Sequence, residues 1–170
     1  MADKQVQQSP DGEQWGRASE LPPDVFALLH RPGRAINPGS AIVPIAIVAT
    51  VDSDGKPRTA PFGSLRAITP QLLRLACGNW HGTYANLCRD GQVSVAVVSP
   101  LNIAVSIRGR ARVVKAQMDC QKDLVVVEID IEEVKNDMLE NGIIESAIGF
   151  TPPEDDRGYY IGIIAEIEDM

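Results

Sequence analysis

The segment Leu72–Val98 constrains the fold most, because signals for a strand, a loop, a helix and a second strand follow one another in it without a break. A short apolar run, Leu72–Cys77, precedes a loop bounded by glycines, Gly78–Gly82. Thr83–Arg89 predicts two helical turns, and an Asp-Gly pair ends them before the β-branched run Val93–Val98. The first turn of a helix presents free backbone N–H groups, so this junction is a candidate site for an anion such as a phosphate.

Further β-rich segments lie on both sides of this junction, and most of them are joined by short turns. Together with the two strands named above they give six predicted strands, Ile42–Val51, Arg58–Ile68, Leu72–Cys77, Val93–Val98, Ile103–Lys115 and Leu124–Val134. The second strand is expected to bend near Pro61 and Gly63. Short connections, with one helix between strands three and four, predict a mainly β fold with a few helices, built as a six-stranded antiparallel barrel.

The rest of the chain is organised around this barrel. Residues 1–20 are polar and predict a flexible N-terminal arm, whereas residues 21–170 are expected to form a single domain. A short helix is predicted from Pro22 to His30 and a helical turn over Ala116–Lys122. Apolar residues three and four positions apart predict a C-terminal helix over Arg157–Asp169.

Composition excludes several classes of function. The net charge of -7 argues against general nucleic-acid binding, and no apolar run is long enough to span a membrane. The polar N-terminus lacks a secretory signal, so a cytoplasmic location is expected. Three cysteines, Cys77, Cys88 and Cys120, form no paired spacing. They predict reduced thiols. Cys77, His81 and Cys88 fit no standard zinc spacing and have no evident fourth ligand, so no metal site is predicted.

Charge is distributed unevenly along the chain. Residues 1–115 contain 13 Lys and Arg against 8 Asp and Glu, whereas residues 116–170 contain 3 against 15. Arg108, Arg110 and Arg112 recur at every second position of the fifth strand, so they form a stripe on one face. We expect this stripe to face either a dimer partner or the acidic C-terminal part of the same chain.

Several side chains near the helix start have both a plain and a functional interpretation. Either Thr83 or His81 can be the N-cap of the helix, and Thr83 can also contact a phosphate. Trp80 can stack on a ligand or cover the end of the barrel. Cys77 reads most simply as a small residue at a strand end, and Arg58 alone could be an ordinary surface arginine.

The order of these elements resembles the FMN-binding split-barrel family of pyridoxamine 5′-phosphate oxidase-like proteins. Four features carry the resemblance: the strand "ATVDSDGKP", the Arg-x-x-Pro strand after it, the Thr-x-x-Asn-Leu helix start and the "RGRA" strand. The resembling region extends from about Ala46 to Lys115. Arg74 lies on a neighbouring strand outside the motifs, so it is expected to have little influence on a cofactor.

The resemblance implies that FMN binds at a homodimer interface. By position, its phosphate would be held by Arg58 and by His81 and Thr83 at the helix start. The backbone of the second strand would face the flavin ring, at Thr59, Ala60, Pro61 and Phe62. The loop after the third strand would border the ring or the ribityl chain, through Cys77, Gly78, Asn79 and Trp80. This chain has Gly82 and Thr83 where many family members have Arg and Lys, which leaves Arg58 as the clearest charged contact.

The function implied by the resemblance is that of a flavin-dependent oxidoreductase that acts on a small organic substrate. A flavin carrier or sensor without turnover, a barrel without a cofactor and a deazaflavin-dependent reductase of the same fold are the alternatives. Strands that are apolar on both faces, such as Ile42–Val51, also favour a homodimer. No general acid or base can be assigned from the sequence, since chemistry in such proteins belongs to the cofactor.

Overall fold

A computed structural model describes residues 17–30, 43–100, 102–138 and 142–170. These residues form ten strands: β1 Arg17–Ala18, β2 Val43–Pro44, β3 Ala46–Val51, β4 Pro57–Phe62, β5 Arg66–Thr69, β6 Leu72–Gly78, β7 Gln92–Ser99, β8 Ile103–Lys115, β9 Leu124–Asn136 and β10 Gly149–Phe150. They also form three α-helices: α1 Pro23–Leu29, α2 Gly82–Arg89 and α3 Arg157–Asp169. The helices predicted near residue 22 and at the C-terminus are therefore confirmed within one residue.

The main sheet has the antiparallel order β4-β3-β7-β8-β9-β6-β5. Its two outermost strands, β4 and β5, are consecutive in the chain and separated only by residues 63–65. One bent strand therefore lies at both edges of the sheet, and this closes the sheet into a barrel. The six-stranded split barrel predicted from the sequence is confirmed, with β4 and β5 counted as its bent second strand.

The bend divides the predicted strand Arg58–Ile68 into two, and Ser64 holds the joint. Its Oγ donates to the carbonyl of Ala76 at 3.1 Å and accepts the backbone N–H of the same residue at 3.1 Å. A side chain thus supplies the hydrogen bonds that a continuous strand would have formed with β6. We call residues 63–65 the seam of the barrel.

The barrel interior is filled by alternating residues of its strands. Val48, Leu73, Val95, Ile107 and Ile129 are all fully buried there. Each such side chain contributes about 1.5–3 kcal/mol when it is removed from water. Helix α1 closes one part of this core with Val25 and Leu29.

Helix α3 packs on the outside of the barrel, against β6 and β9. Ile163 and Ile167 form a second apolar cluster with Ala76, Met118 and Val126. Strand β6 is consequently buried on both faces, which explains why its sequence is a continuous apolar run instead of an alternating one.

Polar contacts fix the last turn of α3. Arg74 donates to the carbonyl of Ile167 at 3.1 Å and pairs with Glu128 at 2.8 Å, so it satisfies a carbonyl that the helix end leaves free. Glu168 lies 3.6 Å from the buried Arg66. Arg74 is therefore a buried anchor of the helix, and its small influence on a cofactor stays a prediction.

Glu166 attaches α3 to the segment that follows β8. Its carboxylate accepts the backbone N–H groups of Asp119 at 2.7 Å and Cys120 at 2.9 Å and pairs with Lys115 at 2.8 Å. The predicted helical turn over Ala116–Lys122 is wrong, since these residues form bends. Two N–H groups that a helix would use internally are directed at Glu166 instead.

The arginine stripe on β8 pairs with the acidic part of the same chain. Arg108 lies 2.9 Å from Glu133, and Arg112 pairs with both Glu128 and Asp130 on the neighbouring strand β9. Of the two predicted roles for the stripe, the structure shows the intramolecular one.

The N-terminal part of the chain lies mostly outside the described residues. The end of the predicted arm is described, and there Arg17 and Ala18 pair with Lys135 and Val134 of β9. None of the helices in the described ranges is long and apolar enough to cross a membrane.

Candidate functional site

The junction between β6 and α2 is a tight turn followed by a capped helix. The backbone N–H of His81 donates to the carbonyl of Gly78 at 2.9 Å, which reverses the chain after β6. His81 is the N-cap of α2, and its Nδ1 accepts the backbone N–H of Thr83 at 3.1 Å. The His81 side chain therefore accepts one of the free N–H groups at the helix start that were predicted to bind an anion.

Three aromatic rings meet at this junction. The rings of Phe62 and His81 lie 6.1 Å apart at 73°, and those of Trp80 and His81 lie 5.7 Å apart at 66°. Trp80 is 74% exposed, an unusual state for the largest apolar side chain. We call these three residues the aromatic corner.

Gly78 makes the corner possible. A Cβ at this position would lie 2.9 Å from the indole of Trp80, closer than carbon atoms approach one another. The indole thus packs directly on the backbone at the end of β6. At Gly82, in contrast, a Cβ would meet nothing within 4 Å, so the start of α2 is open to solvent.

Cys77 and Thr83 lie beneath this surface. Both side chains are buried, and burial raises the pKa of the Cys77 thiol to about 11, although the backbone N–H of Tyr84 partly offsets it. The thiol is therefore protonated at neutral pH and a poor nucleophile. These two predicted site residues support the junction from inside.

Two asparagines position the loop and the helix. The backbone N–H of Asn79 donates to the carbonyl of Asp123 at 2.9 Å, which ties the loop to the turn before β9. The Asn86 side chain donates to Thr50 Oγ1 at 2.9 Å, and this buried bond fixes α2 on β3.

Arg58 lies at the opposite end of β4 from the aromatic corner. Phe62 lies four positions further along the chain, which corresponds to about 13 Å along an extended strand. Its Nε pairs with Asp52 Oδ2 at 2.8 Å, and its side chain is 64% exposed. The backbone N–H of Lys56 and then Arg58 itself lower the pKa of Asp52. The structure therefore does not bring Arg58 and the start of α2 together.

Strand β4 carries the other predicted ring contacts. Among the described residues it pairs with β3 alone. Because alternate residues of an edge strand direct their N–H and C=O groups away from the sheet, β4 offers hydrogen bonds to a planar ligand. Thr59 and Pro61 are exposed on its outer face, whereas Ala60 is buried.

A cavity of about 370 Å³ lies on the other side of Phe62, between the seam and α3. Its lining includes residues of the barrel and of the C-terminal segment, Ile45, Pro61, Phe62, Gly63, Ser64, Ala76, Leu124, Phe150, Tyr159, Tyr160, Ile163 and Ile164. The contribution of Phe150, Tyr159 and Tyr160 to this lining was not predicted from the sequence. Their aromatic clustering near the C-terminus was the available signal.

Within the described ranges, no group of three or more His, Cys, Asp or Glu side chains could hold a metal ion. All three cysteines are free, with Cys77 buried and Cys88 and Cys120 exposed. The prediction of free thiols agrees with this arrangement.

The closed antiparallel barrel, its bent strand and the helix after β6 define the split-barrel class of proteins. The family model for pyridoxamine 5′-phosphate oxidase matches residues 41–136, more than half of the chain. The chain belongs to this pyridoxamine 5′-phosphate oxidase-like family, as the resemblance indicated. A search of curated proteins gives no match.

Solved structures share the fold. A HupZ variant from group A Streptococcus is 18% identical, with a TM-score of 0.53 over 68% of this chain and 98% of its own. An F420 reductase is 18% identical, with a TM-score of 0.50 over 65% of this chain and 95% of its own. A candidate pyridoxamine 5′-phosphate oxidase from Lactobacillus delbrueckii is 28% identical, with a TM-score of 0.48 over 54% of this chain and 83% of its own.

Proposed function

We propose that this protein binds FMN at the aromatic corner and is a flavin-dependent oxidoreductase that acts on a small organic substrate. The observation that carries the proposal is the convergence of Phe62, Trp80 and His81 beside the free edge of β4. Bound FMN would supply two-electron transfer, while the protein would bind and orient the ring.

The ring portion of FMN fits the residues present. The exposed face of Trp80 and the ring of Phe62 offer apolar surfaces, and stacked or edge-on aromatic contacts stabilise such a complex. Alternate residues of β4 between positions 59 and 62 would supply free backbone groups for hydrogen bonds of the kind that the polar edge of a flavin needs.

The phosphate portion has fewer contacts. The N–H of Thr83 is already used by His81, so the open backbone around Gly82 is the remaining part of the α2 start. Arg58 can reach a phosphate only if it exchanges Asp52 for the new anion. We therefore expect the ring to supply more of the FMN affinity than the phosphate does.

An apolar outer face supports a homodimer with the cofactor at its interface. The side chains Ile47, Ala49 and Val51 of β3 point away from the core, as do Ala96 and Val98 of β7. Ile47 pairs with Ala96 on one side and with Pro61 on the other. Contiguous apolar patches of this kind mark interaction surfaces, and this one reaches the strand that carries the proposed ring contacts.

A visible spectrum of the purified protein titrated with FMN tests the proposal. We expect one flavin per chain, with quenching of Trp80 fluorescence that disappears in Trp80→Phe. Absence of saturable FMN binding would refute the proposal. Reduction of bound flavin by a nicotinamide donor, followed by reoxidation with substrate, distinguishes an enzyme from a carrier or sensor.

A deazaflavin in place of FMN is the second candidate cofactor, because its reductases share this fold. Parallel titrations with FMN and with a deazaflavin discriminate between the two. If the deazaflavin binds more tightly than FMN, the deazaflavin is the cofactor that we propose.

A further inference from the structure

The cavity between the seam and α3 is closed on one side by a segment of this chain that the family model does not include. The model ends at residue 136, whereas Phe150, Tyr159 and Tyr160 form one wall of the cavity. The opposite wall contains Pro61 and Phe62, and Phe62 also belongs to the aromatic corner. A molecule in this cavity would therefore lie directly beside the proposed flavin.

The cavity has a uniform chemical character. Among the described residues that line it, none is charged. The hydroxyl of Ser64 is already engaged with the backbone of Ala76, so it is not free for a ligand. Apart from Ser64, the lining residues that carry polar side-chain groups are Tyr159 and Tyr160, through their phenol hydroxyls.

Aromatic rings shape the cavity wall. Phe150 and Tyr160 lie 5.2 Å apart at 59°, and Tyr159 and Tyr160 lie 5.3 Å apart at 85°. Tilted and edge-on rings at these distances leave faces available to a further flat ring. A volume of about 370 Å³ is in the range of pockets for small organic ligands.

The surroundings of the cavity disfavour an anion. Burial and then the negative charge of Asp123 raise the pKa of Tyr159. A phosphorylated ligand would lose water, which is costly, and no described lining residue offers it a cation. The nearby Arg66 guanidinium donates to the carbonyls of Gly63 and Leu65.

We infer that this cavity binds the substrate of the proposed flavoenzyme and that the substrate is an uncharged, planar aromatic compound. The inference rests on the proposed function for the adjacent flavin. It excludes phosphorylated substrates such as pyridoxamine 5′-phosphate, which the family description suggests. Helix α3 thus sets specificity with the rings that it places over the barrel.

Calorimetric titration of the full chain, with and without FMN, tests this inference with a matched pair of probes. The first probe is 2-naphthol, and the second is 2-naphthyl phosphate, which has the same ring system and a dianionic group. We expect one 2-naphthol per chain and binding of the phosphate ester weaker by about tenfold or more. Equal or tighter binding of the ester would overturn the inference.

Variants locate the site. Tyr160→Ala should weaken 2-naphthol binding about tenfold, because it removes a ring wall. Tyr159→Ala, at a more exposed position, serves the same purpose if the first variant does not fold. Ile161→Ala, on the same helix but outside the cavity lining, is the matched control and should change affinity by less than about twofold. Unchanged binding in folded Tyr160→Ala or Tyr159→Ala would refute the site.

FMN titrations of the same variants separate the two proposals. Tyr160→Ala should leave FMN affinity unchanged. If FMN displaces 2-naphthol competitively, the cavity holds the flavin ring itself and the inference fails. If FMN does not bind while 2-naphthol shows the expected variant pattern, the flavin proposal fails and the aromatic ligand cavity stands.

Discussion

The attachment of α3 by Glu166 gives a prediction that can be worked out from the structure. Partial burial would raise the pKa of Glu166, but hydrogen bonds from Lys115 and from the backbone N–H groups of Cys120 and Asp119 outweigh it and lower the pKa to about 2. A change from the ordinary 4.5 to about 2 corresponds to roughly 3 kcal/mol. Solvent screening of the lysine pair reduces this value, so we expect Glu166→Gln to cost about 2 kcal/mol.

Urea unfolding of wild type and Glu166→Gln measures this loss. The control is Glu132→Gln, the same substitution at a 64% exposed side chain that lies 4.0 Å from Arg110, where about 0.5 kcal/mol or less is expected. Amide exchange at Asp119 and Cys120 should accelerate only in Glu166→Gln. Equal destabilisation by the two substitutions would show that the carboxylate does not hold the helix.

The pH dependence of the same contact has a definite sign. Because the folded-state pKa of Glu166 is lowered, its contribution is complete above the unfolded value of 4.5 and disappears as the pH falls toward about 2. The difference in unfolding free energy between wild type and Glu166→Gln should therefore shrink across this range. A difference that stays constant from pH 5 to pH 2 would contradict the assignment.

Three further predictions concern the site, the thiols and the assembly. Arg58→Ala should weaken FMN binding about tenfold and leave riboflavin binding unchanged in parallel titrations. Arg108→Ala is the control for an exposed arginine. An equal loss of affinity for both flavins would show that Arg58 does not contact the phosphate. In native protein a thiol reagent should modify the exposed Cys88 much faster than the buried Cys77, and all three thiols should react after unfolding. Equal modification rates of Cys88 and Cys77 in the native protein would contradict the burial of Cys77. Light scattering should give a mass of about twice 18.4 kDa for wild type and a smaller mass for Ala96→Lys. A monomeric wild type would refute the proposed cofactor site at the dimer interface.

Local patterns in the sequence predicted most of the elements. Spacings of three and four placed Ile163, Ile164 and Ile167 on the buried face of α3, and alternation on β8 separated buried Ile107 from exposed Arg108. Periodicity reports the face of an element because that face depends only on the residues of the element itself.

Contacts between distant segments were not predictable in the same way. The sequence could not show that Arg74 on β6 is buried under the end of α3, or that Glu166 satisfies N–H groups of residues 119 and 120. At the candidate site, the structure brings Phe62, Trp80 and His81 together at one junction, and their contacts with a cofactor stay a prediction from the order of motifs. That order did not show that Arg58 already has a partner in Asp52, because that contact depends on the conformation of a hairpin turn.

The seam has a consequence for how the chain folds. Hairpins β3–β4 and β5–β6 lie on either side of residues 63–65, so both can form from local contacts before the barrel exists. Closure needs β6 to find β9, where Leu73 pairs with Ile129 from a distant part of the chain. Pairings between distant segments slow folding because a large loop must close first. The pairing of β3 with β7, where Ile47 meets Ala96, also joins distant segments. The rate-limiting step of folding is therefore expected at these two long-range pairings, and substitutions there should alter the folding rate more than substitutions in either hairpin.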